Sequence, residues 1–384
     1  MKKITDFENK IPFTKPTQSG EEIEILNKCF VENKLQSGGN YTKSSNLLIS
    51  NVTKAPFCSL VNSCTAALET AFLALELSPG DEVIMPSFTF PSTANAVALR
   101  GAVPVFVDID PETMNIDPAT LEQAISRKTK AIVVVHYAGV AANMDEICLI
   151  SEHYNLPVIE DAAQAFGSTF KSKHLGTLGL AGAFSFHYTK NLSCGEGGSL
   201  ITANEEFNEK ASIIIEKGTN RKAFLNNQTA KYQWLNLGSS YVLNELSAAI
   251  LSSQLLNWHE LNKVRLRSWQ YYSDTLSTVS PKKIRLPKLP EDATHNGHIF
   301  YFHVTSPLVR KELLHNFNQQ GIQATSHFEP LHESHAGKKY GRHGSDLKHT
   351  SLASKTLVRL PLWTGMERAT QDRVIEAIFR FAKA

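Results

Sequence analysis

Between Pro56 and Glu160 the sequence repeats one unit: a short apolar run, a turn, then apolar residues at helical spacing. The runs Pro56–Val61, Val83–Met85, Val103–Ile109, Ala131–His136 and Pro157–Glu160 read as strands. Between them, helical patterns run from Leu68 to Leu75, Ser92 to Arg100, Ala119 to Ile125 and Asp145 to Tyr154. Strands that are apolar throughout, rather than alternating, belong in a sheet covered on both faces. Alternating βα units of this length therefore predict an α/β fold around a mostly parallel sheet.

After Asp161 the pattern loosens into short runs at Ala183–Phe186 and Ser199–Thr202 among glycine-rich loops. One long helical pattern, rich in Leu, Ala and Trp, follows from about Leu243 to Leu276. The proline-punctuated stretch Pro281–Pro290 reads as a hinge or linker. Beyond it, His298–Val304 alternates like a strand, and Lys311–Gln319 and Thr370–Ala382 read as helices. The expected division is 1–245, a large α/β domain with an N-terminal arm, and 246–384, a long bridging helix with a smaller α+β domain. A length of 384 residues fits two to three domains at about 150 residues each.

With 42% hydrophobic and 20% charged residues, the chain has the content of a well-filled core, which excludes disorder, collagen and coiled coil. Thirty-nine basic residues against 37 acidic ones leave +2, no clustered field for nucleic acid. The five cysteines, Cys29, Cys58, Cys64, Cys148 and Cys194, are scattered and form no Cys-x-x-Cys pair, so neither a disulfide framework nor a cysteine zinc site is expected. Met1–Asn9 has basic residues without an apolar stretch behind them, unlike a secretory signal. The longest apolar runs, such as Ala131–Val135, are too short for a bilayer. These features predict a soluble protein of a reduced, cytoplasmic compartment.

In open α/β sheets, ligands collect at the carboxyl ends of the strands. Three such ends carry chemistry. Asn62-Ser63-Cys64-Thr65-Ala66-Ala67 opens a helix with small and hydroxyl residues. It suits either a phosphate on the helix N-terminus or an ordinary cap by Ser63 or Thr65. Glu160-Asp161-Ala162-Ala163-Gln164 places an acid just past a buried strand, for a ligand or as a helix cap. Ser185-Phe186-His187-Tyr188-Thr189-Lys190-Asn191 leads into Gly195-Glu196-Gly197-Gly198 and sets Lys190 between a strand and a tight glycine turn. Taken alone, a lysine is a surface charge. Together, a helix start for phosphate, an acid for a pyridine nitrogen and a lysine for an aldehyde are what pyridoxal phosphate requires. Pro86-Ser87-Phe88-Thr89-Phe90-Pro91-Ser92-Thr93, at another strand end, supplies an aromatic to cover the ring.

Three segments carry a family resemblance: Gly80-Asp81-Glu82-Val83-Ile84-Met85-Pro86-Ser87, Glu160 through Gln164, and Ser185 through Asn191. On these motifs the chain resembles the DegT/DnrJ/EryC1/StrS sugar-nucleotide aminotransferases, from Ile11-Pro12-Phe13 to Arg359-Leu360-Pro361-Leu362. The resemblance implies fold type I of the pyridoxal 5′-phosphate enzymes (aspartate aminotransferase-like), working as a homodimer with active sites at the subunit interface. It makes Lys190 the lysine that bonds the cofactor and Asp161 the partner of the pyridine nitrogen. Gln164 then lies near the ring hydroxyl, Phe90 stacks on the ring, and Cys64, Thr65 and Ser185 bind the phosphate. The segment Gly238-Ser239-Ser240-Tyr241-Val242 departs from the family's usual Gly-Tyr-Asn-(Tyr/Phe)-Arg, so Ser240 replaces an asparagine that reaches the partner subunit's cofactor phosphate.

Within the family, His136–Ala141, Glu216–Arg221 and Gly238–Tyr241 are most similar to members that form a dTDP-linked 4-amino-4,6-dideoxygalactose for bacterial surface polysaccharides. That implies a 4-keto sugar nucleotide as acceptor and L-glutamate as donor. Lys217 and Arg221 are candidates for the nucleoside diphosphate, weighed against plain surface charge. His327 and His332 resemble the loop that faces the sugar. With His335 they form a histidine cluster, but no cysteine or carboxylate completes a tetrahedral set, so no metal is expected. Other readings are a different sugar nucleotide (gluco-configured amine, 3-keto or UDP-linked), a dehydratase, or a non-catalytic regulator that binds the cofactor. Lysine at position 190 opposes the dehydratase, whose relatives carry histidine there. The regulator lacks a recognisable helix-turn-helix extension.

Overall fold

The computed structural model describes residues 10–383 except Lys34, so Met1–Asn9 lie outside the described residues. Seven strands of a large sheet follow the expected runs: β1 (Phe57–Val61), β2 (Glu82–Pro86), β3 (Val103–Val107), β4 (Thr129–Val135), β5 (Val158–Asp161), β6 (Ala181–Ser185) and β7 (Gly198–Thr202). Their spatial order is β1-β7-β6-β5-β4-β2-β3, and the short strand Arg342–His343 extends the edge beyond β3. Neighbours pair in parallel except on either side of β7.

Successive side chains on a strand face opposite ways, so apolar strands feed two cores. Ile84, Val105, Ile132, Val134 and Val158 pack on one side with Ile49, Ala248, Leu251 and Leu255. Val83, Met85, Ala131, Val133 and Ile159 pack on the other with Ala67, Phe72, Val97 and Ile214. The continuous apolar runs thus have the cause expected of them. From the centre, β2 leads outward to β3 while β4 leads the other way to β5 and β6. The strand order reverses between β2 and β4, where a crevice opens at the carboxyl ends.

A smaller antiparallel sheet orders Ile284–Arg285, Tyr301–Val304 and Leu357–Arg359. Trp269, Tyr272, Phe300, Phe302, Phe317, Val358 and Ile378 form its core with the flanking helices. The N-terminal arm joins this unit: Ile11 pairs with the backbone of Gly321 and Gln323, and Phe13 accepts from Leu362 N–H at 3.2 Å. Arg342 binds Glu82 through two hydrogen bonds of 2.8 and 2.6 Å, fastening the C-terminal segment to the large sheet.

Three elements differ from expectation. The pattern from Leu243 to Leu276 is two helices, Glu245–Leu256 and Trp258–Leu276, broken at Asn257. The first is buried nearly all round, the second on one face only, and one straight axis cannot serve both environments. Ala119–Ile125 reduces to a 3₁₀ turn, Pro118–Thr120, and the short helix Leu121–Ala124. Pro281–Pro290 is not a free linker, because Ile284 and Arg285 pair with Val304 and His303.

Candidate active site

The helix Cys64–Ala74 starts where β1 ends. Ser63 Oγ accepts from Ala66 N–H at 3.1 Å, so Ser63 is its cap. The cap leaves the first N–H groups of the helix, at Cys64 and Thr65, without helical partners. Thr65 Oγ1 lies 2.7 Å from Ser92 Oγ, joining this helix start to that of Pro91–Ala98. Behind them runs β7, which only glycine allows: a Cβ on Gly198 would meet the Cys64 nitrogen at 2.4 Å.

At the end of β5 two adjacent acids take opposite faces. Glu160 is fully buried and accepts from His136 Nε2 at 2.8 Å and from the N–H groups of Gly176, Leu178 and Gly179, each at 2.6 Å. It is consumed by structure. Asp161 lines the cavity; Oδ2 accepts from Thr93 at 2.7 Å and Oδ1 from Ala163 N–H at 3.2 Å. Burial pushes its carboxyl above the usual range, while Thr93, the Ala163 N–H and Lys190 act to hold it ionised. Thr93 is itself fixed by Thr89 Oγ1 at 3.0 Å.

Lys190 sits in the loop between β6 and β7 and faces the same cavity. Burial lowers its ammonium pKa and the Arg359 charge adds to the effect, while Cys64 and Asp161 oppose it. Among the described residues no carboxylate forms an ion pair with Lys190. Its neighbour Asn191 locks the loop, donating to Asn262 Oδ1 at 2.9 Å and the Asn296 carbonyl at 2.8 Å. His298 Nδ1 donates to Asn191 Oδ1 at 2.9 Å, in keeping with burial that holds the imidazole neutral.

The cavity encloses about 600 Å³. Lys190, Asp161 and the helix start at Cys64 all face it, near the carboxyl ends of β6, β5 and β1. The family model for the DegT/DnrJ/EryC1/StrS aminotransferases matches residues 16–379. The chain belongs to the DegT/DnrJ/EryC1/StrS aminotransferase family. The aminotransferase TlmJ from Streptoalloteichus hindustanus is 28% identical with a TM-score of 0.89, covering 97% of this chain and 99% of that one. DesV from S. venezuelae is 27% identical with a TM-score of 0.88, over 98% and 99% of the two chains. NtdA from Bacillus subtilis, with bound cofactor PMP, is 30% identical with a TM-score of 0.84, over 98% of this chain and 86% of that one.

This family member is therefore a fold type I, pyridoxal 5′-phosphate-dependent aminotransferase, and its residues fit that cofactor. Asp161 is a buried carboxylate that, among the described residues, has no cation in hydrogen-bond contact, and it suits a protonated ring nitrogen. Gln164 accepts from Ala138 N–H through Oε1 at 2.6 Å and lines the cavity, a side chain of the kind a ring hydroxyl can pair with. Cys64, Thr65 and Ser185 line the end nearest the helix start. Phe90 is 59% exposed and lines the cavity, with Phe328 at 6.4 Å between centroids.

The aminotransferase cavity also takes in His327, which stacks on Phe328 at 3.7 Å. Tyr137 is fully buried and its hydroxyl lies 2.6 Å from His327 Nδ1. His332 lies elsewhere, bound by Ser87 at 2.7 Å, and His335 is exposed. Lys217 and Arg221 approach Glu216 at 3.8 and 3.1 Å and do not line the cavity. Ser240 is exposed, outside the cavity of its own chain, its backbone bridged to Glu216. Sequence reasoning missed Thr93, Ser92 and Arg359. Thr93 and Ser92 stood in a segment read only for its aromatics, and Arg359 in a motif with no assigned role.

Proposed function

We propose that this aminotransferase converts a nucleotide-linked 4-keto-6-deoxy sugar into a 4-amino sugar, with L-glutamate as donor and 2-oxoglutarate released. The acceptor we favour is dTDP-4-keto-6-deoxyglucose and the product dTDP-4-amino-4,6-dideoxygalactose, for a bacterial surface polysaccharide. The observation that carries the reading is Lys190, which has no ion pair among the described residues, sharing a cavity with buried Asp161. In support, Spr1654 from Streptococcus pneumoniae, described as a sugar aminotransferase, is 26% identical over 97% of this chain with a TM-score of 0.89. The segments His136–Ala141, Glu216–Arg221 and Gly238–Tyr241 favour the 4-amino galactose subgroup.

Pyridoxal phosphate, when bound, supplies an electron-poor ring that acidifies the C–H beside the amine attached to it. The protein moves the protons. Lys190 Nζ, inclined toward its neutral form by burial, accepts the donor's Cα proton and returns it one position along. Asp161 holds the proton on the ring nitrogen, and Thr93 keeps the carboxylate aimed. His327 and the adjoining aromatic rings form the wall for the sugar.

A second copy of the chain completes the assembly in this reading. Phe224, Leu225, Tyr232, Trp234, Leu235 and Leu237 are exposed apolar residues in the stretch 224–237, near Ser240, Lys217 and Arg221 in sequence. Docked in a homodimer, these three residues reach the partner subunit's cavity. Light scattering at the mass of two chains is the expected outcome.

The function is tested by loading the enzyme in its pyridoxamine form and adding dTDP-4-keto-6-deoxyglucose. Return of the yellow lysine-bound absorbance, with an axial 4-amine by NMR, is the expected result. An equatorial amine overturns the galactose assignment. Return only with a UDP-linked or 3-keto sugar overturns the substrate.

A further inference from the structure

Tyr137 and His327 meet in the wall of the active-site cavity, and only one arrangement of their protons leaves no buried donor unpaired. Tyr137 opens the turn Tyr137–Gly139 after β4 and is fully buried. Its N–H donates to Asn115 Oδ1 at 2.8 Å, and its ring packs on Phe88 and Tyr301 with centroids 5.3 and 5.4 Å away. Its hydroxyl lies 2.6 Å from His327 Nδ1 and has no second hydrogen-bond partner among the described residues. Stacking on Phe328 at 3.7 Å fixes the plane of the imidazole.

Both partners are neutral. Burial raises the Tyr137 phenol well above its ordinary pKa, against the opposing Arg359 charge. Burial holds His327 well below its own, and the charges of Arg359 and Lys190 add to that. A neutral imidazole carries a single N–H. On Nδ1 it would point at the phenol oxygen and leave the phenol's own proton buried without an acceptor, a costly arrangement. With the phenol donating to Nδ1, the hydroxyl is satisfied and the imidazole proton sits on Nε2. His327 lines the cavity and makes no other hydrogen bond among the described residues, so this N–H is offered to a ligand.

The donor is fixed and uncharged, and both properties narrow what it binds. A sugar hydroxyl donates or accepts as needed and requires no fixed tautomer. A carboxylate or phosphate is better matched by a cation, and Arg359 and Lys190 oppose a charge on His327. A ketone oxygen only accepts and is neutral. The keto carbon must come to Lys190, whose charge is felt at His327. When an amine adds to that carbon, its lone pair forms the C–N bond and the C=O π pair moves onto the oxygen. A donor already in place there acts most strongly at that moment.

We propose that Tyr137 is a positioning residue that holds His327 in its Nε2–H form, and that this N–H binds the ketone oxygen of the acceptor sugar. The proposal rests on the sugar half of the function given above and deepens it.

Two measurements on the pyridoxamine form of the holoenzyme test it. Nitrogen-15 NMR of histidine-labelled enzyme, with the His327 signals identified by their loss in His327→Ala, is expected to show Nε2 protonated and Nδ1 bare. In Tyr137→Phe both nitrogens should move to the intermediate shifts of a tautomer mixture. In single-turnover kinetics with the keto sugar nucleotide, Tyr137→Phe is expected to lower the maximal rate roughly 3- to 10-fold, the range for a neutral hydrogen bond, with half-saturation within about twofold. The L-glutamate half-reaction of this variant stays within about twofold. Added to His327→Ala, Tyr137→Phe should change the rate by less than about twofold, because the phenol acts through that ring. A wild-type proton on Nδ1, an unchanged tautomer in Tyr137→Phe, additive losses in the double variant, or equal losses in both half-reactions overturns the proposal. A rise in half-saturation alone overturns the ketone contact in favour of a sugar hydroxyl. Wild-type enzyme that reacts with L-glutamate but with no keto sugar nucleotide sinks the sugar assignment and the ketone contact with it, while the NMR measurement still decides the role of Tyr137.

Discussion

Thr93→Val removes one hydroxyl from the support of Asp161 at nearly constant volume. The lost bond, 2.7 Å from Thr93 Oγ1 to Asp161 Oδ2, joins two buried groups. A hydrogen bond to a charged acceptor contributes about 1.5–3 kcal/mol and favours the ionised carboxyl. Asp161 already titrates above its ordinary 3.8 because burial penalises the charge. Removing Thr93 raises it further. Between pH 3.8 and the folded pKa, the native state then holds a proton that the unfolded chain has released, so stability falls as pH rises through that window. The variant is therefore expected to be about 1.5–3 kcal/mol less stable than wild type at pH 7.5, the deficit narrowing as pH falls toward 4. Urea denaturation of the cofactor-free protein at a series of pH values reads both quantities. A deficit independent of pH, or no deficit, refutes the assignment of Thr93 as the hydroxyl that keeps Asp161 ionised.

Other substitutions probe the remaining parts of the site. Lys190→Ala is expected to retain the cofactor in its phosphate and ring contacts yet show no sustained turnover, measured as 2-oxoglutarate released over several equivalents. Gly198→Ala drives a Cβ to 2.4 Å from the Cys64 nitrogen, so the helix start must shift; cofactor affinity, read by fluorescence titration, should fall at least tenfold. Arg265→Met leaves the carbonyls of Gly297, His298 and Leu362 without their donor, and a loss of about 3 kcal/mol or more is expected by chemical denaturation.

How far the site could be read from the chain depended on whether its chemistry is local. Asp161 ends one strand and Lys190 lies in the loop just beyond another, and strand ends in such a sheet meet at one crevice, so both could be picked out with the fold. Ser63 carried two meanings, cap and phosphate site; the structure shows the cap, and with it the free N–H groups that the second meaning needs. Thr93 was not legible, because a threonine in the first turn of a helix looks like a capping residue until the sheet brings residue 161 beside it. Arg359 escaped for a related reason: its cavity position arises from the small sheet pairing Tyr301 with Arg359 and from the arm's Phe13, contacts distant in sequence. The break at Asn257 was hidden because Leu, Ala and Trp continue at helical spacing through it, and only burial separates the two halves.

The central claim is that Lys190 bonds the cofactor and moves the proton in amino transfer. Borohydride reduction of the yellow holoenzyme fixes the cofactor to whichever lysine holds it, and mass spectrometry of the proteolytic peptides locates it. The account predicts one cofactor mass on the peptide containing Lys190, abolished when L-glutamate is added before reduction. Cofactor on another lysine, or incorporation at Lys190 that L-glutamate leaves unchanged, would contradict it.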